Sequence, residues 1–323
     1  MEPKVSVVMP VLNGKRFIAE AVGSIVSQSY RNWELVLVDD GSTDGTYDEV
    51  KRLVPERNLK YVRHAERQGI ARSVNDGLRN ASGDLISFLD HDDSWFPNFL
   101  EVQVAYLQAH PDVHIVHSDF QTTDVDGKIR EESVARCRNR TRPSGYVFPQ
   151  LFHDCFICSN TLVIRRECLE RTGGFDERLR WGDYHLWMRL SRHYQIVFTP
   201  QVLTRYRQHP TQSTRSDPVR EADQEPVGLQ ALQYILEEFP EIRSELGEKT
   251  IRRRMAALYF EFASTWFLRG EPQHARRSLA KAIRLAPFTA RYHLLYAASL
   301  LRPSQAMAFR SGLRRLRRLA SIG

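Results

Sequence analysis

The stretch "GDLISFLDHDDSW", residues 83–95, decides how the rest of the chain is read. A short apolar run, Leu85 to Leu89, stops at Asp90, His91, Asp92 and Asp93. Such a run reads as a buried strand whose carboxyl end carries polar residues. Carboxylates this close repel, and gathering them costs free energy unless a cation lies between them. The simplest cation is a divalent metal.

Working outward, "KVSVVMP" (4–10) is a continuous run closed by proline, a second buried strand. After it, Phe17, Ala21 and Ile25, with Ile18 and Val22, recur at helical spacing. "WELVLVDDGSTDGT" (33–46) predicts a strand from Glu34 to Val38 that ends in Asp39-Asp40, with a helix starting near Thr43 or Asp44. "KYVRH" reads as a short strand and "GIARSVNDGLRNA" as a helix. Strands alternating with helices imply βαβ units and a mostly parallel, Rossmann-like sheet flanked by helices. Ligands of such sheets bind beyond the carboxyl ends of the strands, where Pro10, Asp40 and Asp90 fall.

Residues 113–205 read as mixed. A hairpin is expected around Asp126-Gly127, and a mobile basic loop over 136–146. "NTLVIRRECLERTGG" predicts a strand, a short helix and a Gly-Gly stop, "DYHLWMRLSRH" a helix, and "YQIVFTP" and "VLTRYRQH" two strands. The polar segment 211–226 is the expected domain boundary. The first domain is then 1–215, with halves of about 1–112 and 113–215, and a smaller all-α domain covers 227–323. Within the latter, Tyr259, Phe262, Ala263, Trp266, Gly270, Ala275, Leu279, Ala282 and Pro287 fit one tetratricopeptide (TPR) repeat. A solenoid normally needs about three repeats, so a TPR-like bundle docked on the first domain is expected rather than a free array.

Hydrophobic residues make up 42% and charged residues 26% of the 323, an ordinary globular composition. No apolar run approaches the roughly 18 residues of a membrane span, and the N-terminus lacks a signal-peptide pattern, so a cytoplasmic site of action is expected. The lone C-x-x-C at Cys155 and Cys158 has no second pair to complete a zinc site and reads as packing. The net charge of +7 is uneven: residues 250–323 hold 15 Lys and Arg against 2 Asp and Glu. Within them, "FRSGLRRLRRLASIG" sets Phe309, Leu313, Leu316 and Ala320 on one helical face, with the arginines largely off it. That pattern suits peripheral contact with the inner face of an anionic membrane or, equally, a solvated terminal helix. No RNA- or DNA-binding motif accompanies the charge, so no nucleic-acid partner is expected.

G-x-G-x-x-G after the first strand and Walker A are both absent, which removes the usual support for dinucleotide and P-loop binding. Acids at two strand ends remain, with Arg72 and Lys15 as phosphate partners. One Asp can accept from a base or ribose; another can hold Mg²⁺ or Mn²⁺, hard ions that also bridge diphosphates. The layout suits a nucleoside diphosphate with an activated group. Taken singly, the same residues have plainer readings: Asp39-Asp40 as a capping turn, Asp90, Asp92 and Asp93 as a solvated loop, His209 as an ordinary surface or core histidine and Arg72 as a surface cation.

In order over residues 4–213, "VSVVMPVLNG", "SQSYRNWELVLVDDGSTDGT", "GIARSVNDGL", "GDLISFLDHDDSW", "TGGFDERL", "DYHLWMRL" and "YRQHPTQS" resemble the family 2 glycosyltransferases of GT-A fold. The resemblance implies that Pro10, Val11, Leu12 and Asp40 hold base and ribose. It puts Arg72 near the diphosphate and Asp90 near the ribose, and makes Asp92 the metal ligand of D-x-D, with His209 approaching metal or diphosphate. Asp183 matches the catalytic base. Asp93 completes a D-x-D-D variant and, with Trp181 and Tyr184, is a candidate sugar or acceptor contact; core packing is the rival for the aromatics, Trp187 included. Gly182 departs from the pattern, which commonly has Glu there, and His185 stands where Asp is frequent. The implied activity is inverting, Mn²⁺- or Mg²⁺-dependent transfer from a nucleoside-diphosphate sugar, UDP favoured, to a saccharide or lipid-linked acceptor. Two rivals remain: a non-catalytic sugar-nucleotide or scaffold protein acting through the TPR-like tail, and a nucleotidyltransferase.

Overall fold

The computed structural model describes residues 2–137, 142–212 and 226–301. The basic C-terminal stretch, nearly all of the expected boundary segment and the centre of the basic 136–146 loop lie outside these residues. The chain divides into two compact units, residues 1–215 and 216–323.

The first unit runs β1 (Val5–Val11), α1 (Ile18–Val26), β2 (Trp33–Asp39), α2 (Thr46–Leu53), β3 (Leu59–Arg63), α3 (Ile70–Asn80) and β4 (Leu85–Phe88). It continues with β5 (Ser94–Trp95), α4 (Phe99–Ala109), β6 (Ile115–Thr123), β7 (Ile129–Glu131), α5 (Val134–Cys137), α6 (Phe148–His153), β8 (Leu162–Arg165), α7 (Arg166–Thr172), α8 (Asp183–His193) and β9 (Ile196–Arg207). One sheet takes all nine strands, in the order β3-β2-β1-β4-β8-β6-β9-β5 with β7 beside β6. The four strands from β3 to β4 are parallel. β8 then runs antiparallel to β4 and β6, while β9 pairs parallel with β6 and antiparallel with β5. The mixed half comes from residues 94–207, where the βαβ rhythm stops.

Alternation explains the core. Val5, Val7, Met9 and Val11 leave one face of β1 and, with Leu35 and Leu37 of β2, pack with the apolar stripe Ile18, Ala21, Val22 and Ile25 of α1. Each Val, Leu, Ile or Met side chain so buried contributes about 1.5–3 kcal/mol.

Two expectations shift. α2 begins at Thr46, because Asp44 accepts from the amides of Thr46 and Lys15, each at 3.0 Å, and holds its own segment in a turn closed by Gly45. The two strands expected over 194–209 are one strand, β9. Its register on β6 jumps from Ser118–Thr199 to Asp119–Val202, leaving Pro200 and Gln201 in a bulge. A proline without an N–H is tolerated there.

The second unit is helical: α9 (Val227–Glu238), α10 (Ile242–Leu246), α11 (Glu248–Arg269), α12 (Pro272–Leu285) and α13 (Ala290–Ala298). Gly270, left-handed at φ 97°, ends α11, and Pro272 opens α12. Tyr259, Ala263, Trp266, Ala275, Leu279 and Ala282 are buried in this unit. Among the described residues no helix is long and apolar enough to cross a membrane.

Candidate active site

The carboxyl ends of β1, β2 and β4 meet through their loops. Val11 is buried, its neighbours Pro10 and Leu12 are partly exposed, and the Val11 carbonyl accepts from the Asp40 amide at 2.8 Å. Asn13 is left-handed (φ 52°), and its side chain accepts from the Thr43 amide at 2.9 Å, tying the first loop to the second. A Cβ on Gly14 would lie 2.6 Å from the His91 ring, so glycine lets the acidic segment press against the β1 loop.

Asp39 and Asp40 have separate tasks. Asp39 accepts from the Ser42 amide (2.7 Å) and the Tyr61 hydroxyl (2.8 Å). Burial, and then that carboxylate, push the Tyr61 phenol up to about 12. Asp40 accepts from the amides of Gln68 (2.6 Å) and Gly69 (2.9 Å) and pairs with His64 Nδ1 (2.8 Å). His64 Nε2 lies 2.9 Å from Asp76, which also accepts from Arg72 at 3.2 Å. Arg72 further pairs with Glu177 at 3.2 Å. It is a half-exposed link between α3 and the 174–179 segment.

Beyond β4, one carboxylate oxygen from each of Asp90, Asp92 and Asp93 lies within 4.8 Å of the others. Asp93 is buried; Asn160 donates to one of its oxygens (2.6 Å) and the Arg207 amide to the other (2.8 Å). Enclosure, then the charges of Asp92 and Asp90, still raise it well above the usual carboxylate range. Asp92 pairs with His209 Nε2 at 2.8 Å. Burial pushes Asp92 up, but the His209 hydrogen bond and the nearby His91 outweigh it and hold the group below its ordinary value. Asp90 is exposed, although protein crowds its carboxyl. That enclosure, then the charges of Asp92 and Asp183, raise it. Arg207, buried on β9, donates to the Asp92 carbonyl at 3.1 Å, pairs with Glu20 and sits over the Phe17 ring.

Asp183 is the first residue of α8 and is partly exposed. Its oxygens accept from the Tyr184 amide (2.8 Å) and the Ser159 hydroxyl (3.3 Å). Burial raises it against both bonds. Trp181 is partly exposed, stacked under Arg180 at 4.8 Å, and its indole N–H is buried without a partner. Tyr184 faces the other way, as a correction to its candidacy as a sugar contact: it is buried, and its hydroxyl donates to the carbonyls of Leu151 (2.8 Å) and Phe152 (3.2 Å). Trp187 is core as well. The hydrophobic face of α8 claims both rings.

Asp90, Asp92, Asp93, His209 and Asp183 thus share one neighbourhood. Arg72 is committed to carboxylates of its own chain, and Asp93 has protein partners on both oxygens. Sequence reasoning passed over His64, Ser159, Asn160, Arg207 and Cys158. Arg207 stands in "YRQH"; at Cys158, read as packing, burial and then the charges of Asp93, Asp90 and Asp183 raise the thiol. The others carry no local signal, because their partners are distant in sequence.

A parallel β-sheet half that ends in an acidic cluster, joined to a mixed half that supplies a facing carboxylate, defines a GT-A protein. The model of Glycosyl transferase family 2 matches residues 6–173, and the chain belongs to that family. An uncharacterized glycosyltransferase of Rickettsia bellii is 31% identical over 219 residues, 66% of this chain and 31% of that protein. The chain therefore spans about a third of that relative's length. Escherichia coli WfgD, a UDP-Glc:α-D-GlcNAc-diphosphoundecaprenol β-1,3-glucosyltransferase, is 29% identical over 188 residues, 58% of this chain and 70% of WfgD. Staphylococcus aureus TarS (1–349) in complex with UDP-GlcNAc shares the fold, with a TM-score of 0.64, 20% identity, and coverage of 91% of this chain and 84% of that one.

Proposed function

We propose that the chain is an inverting, metal-dependent glycosyltransferase that moves a sugar from a nucleoside-diphosphate sugar, UDP-linked in the first instance, to a hydroxyl of a saccharide or lipid-linked acceptor. The observation that carries this is the cluster of Asp90, Asp92 and Asp93 with Asp183 tied beside it through adjacent residues, Ser159 donating to Asp183 and Asn160 to Asp93. UDP-sugar chemistry in WfgD and UDP-GlcNAc in TarS support the donor class.

The donor set suits a hard divalent ion: clustered carboxylate oxygens, with an imidazole on Asp92. Asp92 would hold Mn²⁺ or Mg²⁺, with His209 beside it and Asp90 toward the ribose. Such an ion supplies positive charge against the diphosphate leaving group. The chain's own residues do the rest. The β1 loop and the end of β2 cradle the nucleoside. Arg207 and Asn160 hold the acidic segment rigid. Asp183 accepts the proton of the acceptor hydroxyl as its oxygen bonds to the sugar C1 and the C1–O bond to the diphosphate breaks, its electron pair leaving with the nucleotide. A raised pKa makes this carboxylate a stronger base than a free one. One displacement inverts C1 and needs no protein nucleophile.

Nucleotide release from a panel of UDP-, GDP- and dTDP-sugars, with Mn²⁺ and with EDTA, tests the reading. Release by the wild type in Mn²⁺ is expected, with an inverted anomeric carbon by NMR. Release of pyrophosphate from a nucleoside triphosphate instead would sink it.

A further inference from the structure

Resting on that function, we infer that Ser159 is the positioning residue for the base Asp183, filling a support that the residue before Asp183 cannot give. The preceding residue is Gly182, and the reason is space. Its φ of −89° suits any residue, yet a Cβ there would lie 2.7 and 2.8 Å from Phe175 Cδ1 and Cβ. Phe175 cannot easily yield. Its amide donates to Asn75 Oδ1 (2.8 Å), its carbonyl accepts from Asn75 Nδ2 (2.9 Å), and its ring packs edge-on against Phe88 and Trp187. A side chain is thus excluded at 182, and among the described residues the one side chain that hydrogen-bonds Asp183 is Ser159, at 3.3 Å.

The turn that presents Ser159 is anchored on both sides. Asn160 donates to Asp93 (2.6 Å) and its carbonyl accepts from the Trp95 indole (2.7 Å). Thr161 donates back to the Cys158 carbonyl (2.7 Å), and its own carbonyl accepts from Gln103 (2.9 Å). Consecutive residues of this turn therefore grip the acidic segment and the base. Ser159 fixes one oxygen of Asp183 and the Tyr184 amide fixes the other. The remaining lone pairs are left to meet the acceptor. Catalytic hydrogen bonds are commonly long before substrate binds, which accommodates 3.3 Å.

The test uses the full chain, the nucleotide sugar that the wild type turns over fastest in the panel, water as the acceptor, and Asp183→Asn in parallel. For Ser159→Ala we expect kcat to fall about tenfold, with donor KM and calorimetric UDP affinity within twofold of wild type. Ser159→Thr, which keeps the hydroxyl, should recover most of the rate. Wild-type kcat in Ser159→Ala beside a collapsed Asp183→Asn would overturn the inference and leave the functional reading standing. Equal loss in Ser159→Thr, or a matching loss of UDP affinity, would mark a merely structural role and overturn it too. Wild-type rates in both Asp183→Asn and Ser159→Ala, or no turnover of any donor by the wild type, would instead remove the functional reading on which it rests.

Discussion

The opposite ends of the same parallel strands are built to contrary electrostatic rules. At the amino end, Glu34 is buried on β2 and saturated. It accepts from Lys4 Nζ (2.6 Å), Ser6 Oγ (2.6 Å), the Ser82 amide (2.6 Å) and the Ser82 hydroxyl (2.9 Å), and Lys60 lies at 3.2 Å. Burial pushes Glu34 up, but these partners prevail and bring it down to about 2. At the carboxyl end, Asp90, Asp93 and Asp183 are all raised, by enclosure first, while His209 holds Asp92 down. One end spends its polar groups on making a charge comfortable. The other crowds carboxylates and leaves them partly uncompensated, as functional sites do. A site proposed to receive a cation and a proton cannot also satisfy every carboxylate internally.

The most severe way to break this contrast is Asp183→Asn, which keeps the shape and removes the basicity. Turnover should fall by the roughly 10²–10⁴-fold typical of general-base loss, while UDP affinity stays within a few-fold. Nucleotide-release kinetics beside calorimetry would show it; a near wild-type rate would transfer the role away from Asp183. Wild-type turnover should also fall as pH drops through the raised pKa of Asp183, about tenfold per unit where that group limits the rate.

Next comes the cation. Asp92→Ala should weaken Mn²⁺-dependent UDP binding by at least the roughly 10–100-fold that even outer partners of a metal contribute. Equal UDP affinity in EDTA and in Mn²⁺, in both proteins, would refute a metal at this end of the sheet.

The amino end predicts stability rather than rate. Because the folded pKa of Glu34 is depressed, its contribution is present above the unfolded value of 4.5 and is lost as pH falls toward about 2. Glu34→Gln should cost about 1–2 kcal/mol near neutral pH, a figure already discounted for water at the Lys4 and Lys60 side. The mutant's denaturant midpoint should converge on the wild type's as pH drops through that window. A constant gap between them would mean that packing, not charge, holds this end together.

How much of this was legible in the sequence follows the same division. β1, β2 and β4 announce themselves by runs that are apolar but for Ser6, Glu34 and Ser87, and the acids after β2 and β4 by breaking those runs. The bulge at Pro200 and Gln201 does not, because a proline between two β-rich stretches looks the same whether the chain stops or only steps outward. β5 is two residues long and hides inside the acidic motif. Ser159 and Asn160 matter only through Asp183 and Asp93, 24 and 67 residues away, and no periodicity records such a contact. Family resemblance singled out Asp183 as the candidate base, but not what holds it.

The smallest expected effect separates neighbouring residues of α8. Asp183 opens into the site, whereas Tyr184, the next residue, turns its ring into the contact between α8 and α6. Helical geometry forces this: residues one apart point about 100° away from each other, so Asp183 and the following side chain cannot line the same cleft wall. Tyr184→Phe keeps the ring and its buried area and removes the donor to the Leu151 and Phe152 carbonyls. A hydrogen bond of this kind contributes about 0.5–1.5 kcal/mol net, which in a unit of this size lowers Tm by about 2–4 °C per kcal/mol. Turnover and donor KM should not move. Were Tyr184→Phe to leave Tm unchanged and raise the acceptor KM several-fold, the ring would have to face the sugar in the working enzyme, and the first turn of α8 would have to rotate on binding. Calorimetric melting and acceptor titration on one preparation decide between the two.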